Sequence, residues 1–253
     1  MGFPILALRD GGFTASMLKA VGFSAAELRT GGFHPRELKE IGYNALELRA
    51  GRFTVKDLKS IDFKADELIS VGYSVTELRV GGFSAQELKD AAVTPDQLRD
   101  GGFRVRQLRD VGFTPTHFRE FNFYARELRE ANYTASELKA VGYTSTELFQ
   151  GGFGAKPLKD AGFTAEDLRV AGLRADELEA TGFTATQLKE GGYTPDEVKS
   201  AAFTADELRL ANFTASDLKA IGLTAKELFQ GGFSLAELRK AGFQPWKLKG
   251  LGL

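Results

Sequence analysis

The sequence predicts an all-α protein, an elongated array of 25 short capped helices, one for every ten residues. Three observations carry this reading. First, a ten-residue unit repeats without insertion or deletion from Phe3 to Leu248. Second, with Phe13 numbered as position 3 and Leu18 as position 8, position 3 is aromatic in 22 of the 25 units and position 8 is leucine in 23. Two apolar anchors therefore recur in fixed register, which marks a repeat architecture. Third, five of the seven prolines (Pro35, Pro95, Pro115, Pro195 and Pro245) fall at position 5. A proline there fits the first residue of a helix, whose amide has no partner within the helix.

Each part of the unit has a physical task. Position 4 is Ser or Thr in 16 units and position 7 is Glu, Asp or Gln in 20, as in Thr164 and Asp167. That spacing is a capping box, in which hydroxyl and carboxylate each accept from the other residue's backbone amide. The helix then runs from position 5 to position 10. Position 2 is Gly in 18 units and Asn in Asn122, Asn132 and Asn212, the residues best suited to the left-handed turn that ends a helix. Position 3 follows one helix and precedes the next, so Phe163 is expected to pair with both Leu158 and Leu168. Arg52, Asp62, Ala92 and Ala202 stand where a left-handed residue is expected, and those turns are expected to bend differently. Acid in the first turn and the Lys or Arg found at position 9 in 21 units complement the helix dipole. Positions 5, 8 and 1 form one apolar stripe, while positions 6 and 10 point away and vary most.

Two rival folds fail on particular residues. A pentapeptide-type β-helix would turn position 6 inward and bury Arg36, Lys56, Asp66, Arg106, Arg126 and Lys156. A continuous helix or coiled coil is incompatible with glycine every ten residues and a period that is neither 7 nor 11. Because so short a helix is marginal alone, the units must stack. In this the GFTAxELKxx unit resembles the α-solenoid repeat proteins in general, over the whole chain and with an unusually short unit. The resemblance carries no functional residues with it. Gly11, Gly31 and Gly51 alternate with Val21, Ile41 and Ile61, and Arg alternates with Lys at position 9. That period of 20 points to two helices per layer, the alternative being a tighter spiral. No linker interrupts residues 1–253, which read as one continuous repeat domain.

The sequence says less about function. Lys and Arg number 33 against 34 Asp and Glu, a net charge of −1, which argues against a general grip on nucleic acid or anionic lipid. There is no cysteine, no membrane-spanning apolar run and no signal peptide, and the expectation is a soluble protein of the cytoplasm. The two histidines, His34 and His117, replace a cap hydroxyl and a first-turn acid and read as surface substitutions. The Gly-Gly-Phe steps lack the Lys-Ser/Thr of a phosphate loop. Asn132-Tyr-Thr and Asn212-Phe-Thr match glycosylation sequons, but the repeat itself generates them. No catalytic residue, metal ligand, cofactor or small-molecule substrate is expected, and the chain reads as non-enzymatic. The position-9 bases could track a phosphate backbone, yet dipole complementation is the simpler role.

Departures from consensus are the remaining clues. Phe149 and Phe229 replace the position-9 base within identical Glu-Leu-Phe-Gln-Gly-Gly-Phe segments. With Tyr124 and Trp246 they are the candidate partner-binding residues. Phe118, Phe121, Phe123 and Tyr124 cluster in sequence, where packing is the favoured role. Ile5, Leu6 and Leu8 open the chain and Leu251 and Leu253 close it, so neither end is polar. The expected function is a scaffold that binds a protein partner. The alternatives are end-to-end self-assembly, or a consensus or designed array with no task beyond folding.

Overall fold

The computed structural model describes residues 4–249, so Phe3, Leu251 and Leu253 lie outside the described residues. Every repeat carries one helix beginning at position 5, and no strand occurs among the described residues. The helix Ala165–Val170 is typical. The Thr164 hydroxyl accepts from the Asp167 amide at 3.1 Å, and the Asp167 carboxylate accepts from the Thr164 amide at 2.8 Å. The preceding turn also follows expectation. Gly162 is left-handed (φ 78°), its amide donates to the Lys159 carbonyl at 2.7 Å, and the Phe163 amide donates to the Leu158 carbonyl at 3.2 Å. These two bonds are the Schellman pair.

Side chains that cannot accept a hydrogen bond leave the box half-made. Lys64 and Arg174 provide no side-chain cap, yet the Lys64 amide still donates to Glu67 at 2.7 Å and the Arg174 amide to Glu177 at 2.8 Å. At His117 the imidazole takes over the acid's part, and its Nδ1 accepts from the Thr114 amide at 3.1 Å. Both histidines are exposed.

The turns at Arg52, Asp62 and Ala92 do not bend differently. Their φ values of 58°, 64° and 60° are as left-handed as those of the glycines. A side chain in this region costs about 1–2 kcal/mol, which the two turn hydrogen bonds and the burial of the following position-3 residue offset. Ala202 alone among the four departs.

The chain forms two compact units, Met1–Phe121 and Asn122–Leu253, with the same internal plan. In the first, helix Ala25–Thr30 packs on Ala45–Ala50, and Val55–Lys59 on Val75–Val80. In the second, Ser145–Gln150 packs on Ala165–Val170, and Ala185–Glu190 on Ala205–Leu210. Within each unit alternate helices stack, as these pairs do, so there are two helices per layer, and the period-20 alternation records two stacks. The core of each unit is made by positions 3, 5 and 8, and every position-8 leucine but the half-buried Leu8 is buried. Each such leucine contributes about 1.5–3 kcal/mol, which makes a six-residue helix viable.

Position 1 rests on position 5 of the layer before. A Cβ added to Gly81 would lie 2.5 Å from Val55 Cβ, and one added to Gly101 would lie 3.0 Å from Val75 Cβ. Where position 5 is Ala15 or Ala45, the matching position 1 holds Ile41 or Val71. Gly81 has an ordinary helical φ of −73°, so a substitution there tests packing alone. Gly81→Ala is expected to destabilise the protein by about 1–3 kcal/mol through overpacking, and Val55→Ala in the same chain should recover most of that loss in chemical denaturation.

Candidate functional site

The position-9 bases form the most regular charged feature, and they are turned toward the neighbouring layer. The Lys19 ammonium donates to the Ile41 carbonyl at 2.9 Å and lies 4.3 Å from the centre of the Tyr43 ring. Lys39 repeats the arrangement on the Ile61 carbonyl at 2.6 Å and the Phe63 ring at 4.2 Å. Lys139 does so on the Gly162 carbonyl at 2.7 Å and the Phe163 ring at 4.3 Å. Arg79, Arg129 and Arg209 reach the carbonyls of Gly101, Gly151 and Gly231 at 2.7, 2.8 and 2.8 Å. Each cation thus caps the C-terminus of the helix two repeats on, and the three lysines also cover the aromatic ring that follows it. Dipole complementation is the right principle, but the dipole belongs to the next layer rather than to the cation's own helix. A charged hydrogen bond of this kind contributes about 1.5–3 kcal/mol and the ring contact about 0.5–2 kcal/mol.

Substitutions at the two ends of this contact are matched. Ile69 and Phe149 replace the cation, and the residues 24 positions later, Val93 and Leu173, replace the ring. With no cation to hold, an electron-rich ring face gains nothing over an aliphatic side chain. Phe149 and Phe229 are half-buried, whereas Tyr124 is 76% exposed and Trp246 is 69% exposed. The four candidates are not brought together at one site: two are half-buried and two lie on the outer surface. Phe118 and Phe123 are buried, each in its own unit, and Phe121 is half-buried.

Buried tyrosines add a second interlayer bond that the sequence pattern did not reveal. Tyr73, Tyr143 and Tyr193 donate to the carbonyls of Phe53, Phe123 and Leu173, at 3.0, 2.7 and 2.8 Å. Burial pushes the Tyr193 phenol up to about 12. The Glu27 carboxylate is held below its usual range by the Ser24 hydroxyl and amide that it accepts from, and the Thr224 amide and hydroxyl do the same for Glu227. These acids are paired with caps, not with one another.

The surface indentations repeat with the chain. One is lined by Lys19, Phe23, Ser24, Tyr43 and Glu47, and another by the equivalent Lys159, Phe163, Thr164, Phe183 and Gln187. They are shallow clefts between layers. Among the described residues no group of three or more His, Cys, Asp or Glu could hold a metal ion, and no helix is long and apolar enough to cross a membrane.

Removing the cation alone, at Ile69 and Phe149, leaves the helices Ala85–Asp90 and Ala165–Val170 with six residues and their Schellman pairs, but Glu179 places an acid in the slot. It stands at position 9, in the slot that serves the helix Pro195–Val198, but a carboxylate has no proton to donate and is repelled by a helix C-terminus. That helix has four residues, the shortest among those described. Its end carries a single turn bond, from the Ala201 amide to the Val198 carbonyl at 3.1 Å, in place of the Schellman pair. Ala202 leaves the left-handed region, and Phe203 is half-buried where neighbouring rings are buried. Glu179→Lys is expected to restore the turn, raise stability by about 1–3 kcal/mol and slow amide exchange at Ala202 and Phe203. Unchanged exchange at those two amides would show that the acid is not the cause.

No curated protein matches the chain. A family model described as "Decapeptide repeat region" matches residues 2–75, 52–125, 122–195 and 182–253, overlapping segments that take in almost every residue. The repeat seen in the helices, turns and interlayer caps is the unit that this model describes, and the chain belongs to the decapeptide repeat family.

Proposed function

We propose that the chain is a non-enzymatic scaffold that binds protein partners through its outward positions 6 and 10. One observation carries this reading. The residues that recur at positions 2, 3, 4, 7, 8 and 9 are occupied by turns, caps, core and interlayer bonds, while position 10 is exposed wherever that residue is described and position 6 in nearly all repeats. Those two positions vary freely in chemistry, and several carry large apolar groups: Leu46, Val80, Val170, Leu210 and Trp246 are exposed. Isolated apolar groups ringed by mixed charges suit a protein surface better than a polyanion, which would call for a single-signed basic stripe. The bases that could have formed such a stripe have donors engaged by carbonyls.

The scaffold reading is tested by replacing Leu46, Val80, Tyr124, Val170, Leu210 and Trp246 together with Ser. Circular dichroism should be unchanged, because these side chains are outside the core. Partners recovered by the native chain in affinity capture and confirmed by cross-linking should be lost. Partners kept at full affinity by the six-fold variant would contradict binding through these faces.

A further inference from the structure

We propose that Lys199–Phe203 is a built-in joint, at which one face of the second unit opens ahead of the rest of that unit. The acid at Glu179 sets the joint, and Leu223, a layer further on, is fitted to it.

The turn itself comes first. Ala201 and Ala202 repeat the alanine pair Ala91 and Ala92, and neither turn has a cation in its slot. Ala92 is nevertheless left-handed. Its amide donates to the Lys89 carbonyl at 2.9 Å, and the Val93 amide donates to the Leu88 carbonyl at 3.0 Å. What differs is the slot, which holds the aliphatic Ile69 for one turn and the acid Glu179 for the other. The 28-residue spacing that sets Lys59 against Glu87 also assigns an acid, Glu207, to the slot of Glu179. Two carboxylates and a helix C-terminus share one polarity there, so the turn opens instead of closing.

The opening releases Lys199. This residue ends the shortened helix Pro195–Val198 and is exposed. Its side chain has no hydrogen bond, ion pair or ring contact among the described residues. The equivalent Lys219 donates to the carbonyls of Ala241 and Gly242, each at 2.9 Å.

Leu223 records that release. Every other position-9 base with a residue 24 positions on precedes an aromatic ring there, and Lys199 alone precedes a leucine. The ring is missing where the lysine has swung away, just as it is missing after Ile69 and Phe149. Residues in successive layers thus agree on an open turn. The opposite stack stays closed, because the helix Ala185–Glu190 packs on Ala205–Leu210, so the array remains continuous past the joint.

The test is native-state trypsin digestion of the full chain. Within residues 122–249 the first cut should follow Lys199, at least about tenfold faster than cuts after Lys189 or Lys219. Glu179→Lys should slow that cut at least about tenfold by closing the turn. In the Glu179→Lys chain, Leu223→Phe should raise the folding equilibrium constant at least about threefold, and in the native chain it should give no gain. That coupling reports the relay through Lys199. Val198→Leu, which restores the usual core residue, should leave the cut in place. If Glu179→Lys fails to fold, Glu179→Gln, which removes the charge and supplies a donor, takes its place with the same expected direction. A first cut elsewhere in the second unit would overturn the proposal. So would a cut unchanged by the Glu179 variant or abolished by Val198→Leu, or additive effects of the substitutions at Glu179 and Leu223.

Discussion

A six-residue helix has more unpaired backbone carbonyls at its end than hydrogen bonds along its length, and the rest of this structure depends on how those carbonyls are satisfied. Two devices share the task. The turn supplies the Schellman pair from positions 2 and 3, and a cation two repeats earlier supplies the rest, as Lys139 does for Gly162. The first device closes the helix locally. The second couples layers, because the cap belongs to one helix and the cation to another. Neighbouring layers therefore contribute to each other's secondary structure as well as to each other's core, which is the nearest-neighbour energetics expected of a repeat array.

The same dependence sets the chemistry of individual positions. Many position-3 rings pack beneath a cation, and at two contacts the ring has become Val93 or Leu173 where the cation has become Ile69 or Phe149. Position 1 shrinks to glycine opposite Val55 and Val75 because the helix end there lies against the next helix start. Where Glu179 puts an acid in place of the cation, the helix Pro195–Val198 has four residues and its end lacks the Schellman pair. Folding thus occupies most of the repeated side chains and leaves positions 6 and 10 largely exposed.

Much of this was legible in the sequence, because each cap and turn is made by residues within ten of one another. Thr164 with Asp167, Gly162 with Lys159, and proline at position 5 all act locally, and their spacing identifies them. The turns at Arg52, Asp62 and Ala92 were misread because residue preference is weak beside the two hydrogen bonds and buried anchor that enforce the left-handed backbone. The reach of position 9 was also hidden. A base near a helix C-terminus fits its own dipole equally well, and only the stacking of alternate helices turns it toward the next layer. The signal that discloses it is the 24-residue pairing of Ile69 with Val93 and Phe149 with Leu173. Of the candidate site residues, the sequence placed Trp246 at an outward position, but for Tyr124 it favoured packing, and that side chain is exposed instead. It did not separate these two from Phe149 and Phe229, which are half-buried.

The claim that a cation of one layer holds the ring of the next is tested most directly by a double-mutant cycle on Lys139 and Phe163, using Lys139→Met, Phe163→Leu and the pair together. Ile69 with Val93 shows that the array accepts an apolar pair at this contact, so all three variants should fold. The account predicts a coupling of about 0.5–2 kcal/mol in equilibrium unfolding, with the double variant more stable than the sum of the single losses implies. Strictly additive losses would show that the cation and the ring act independently, and would contradict it.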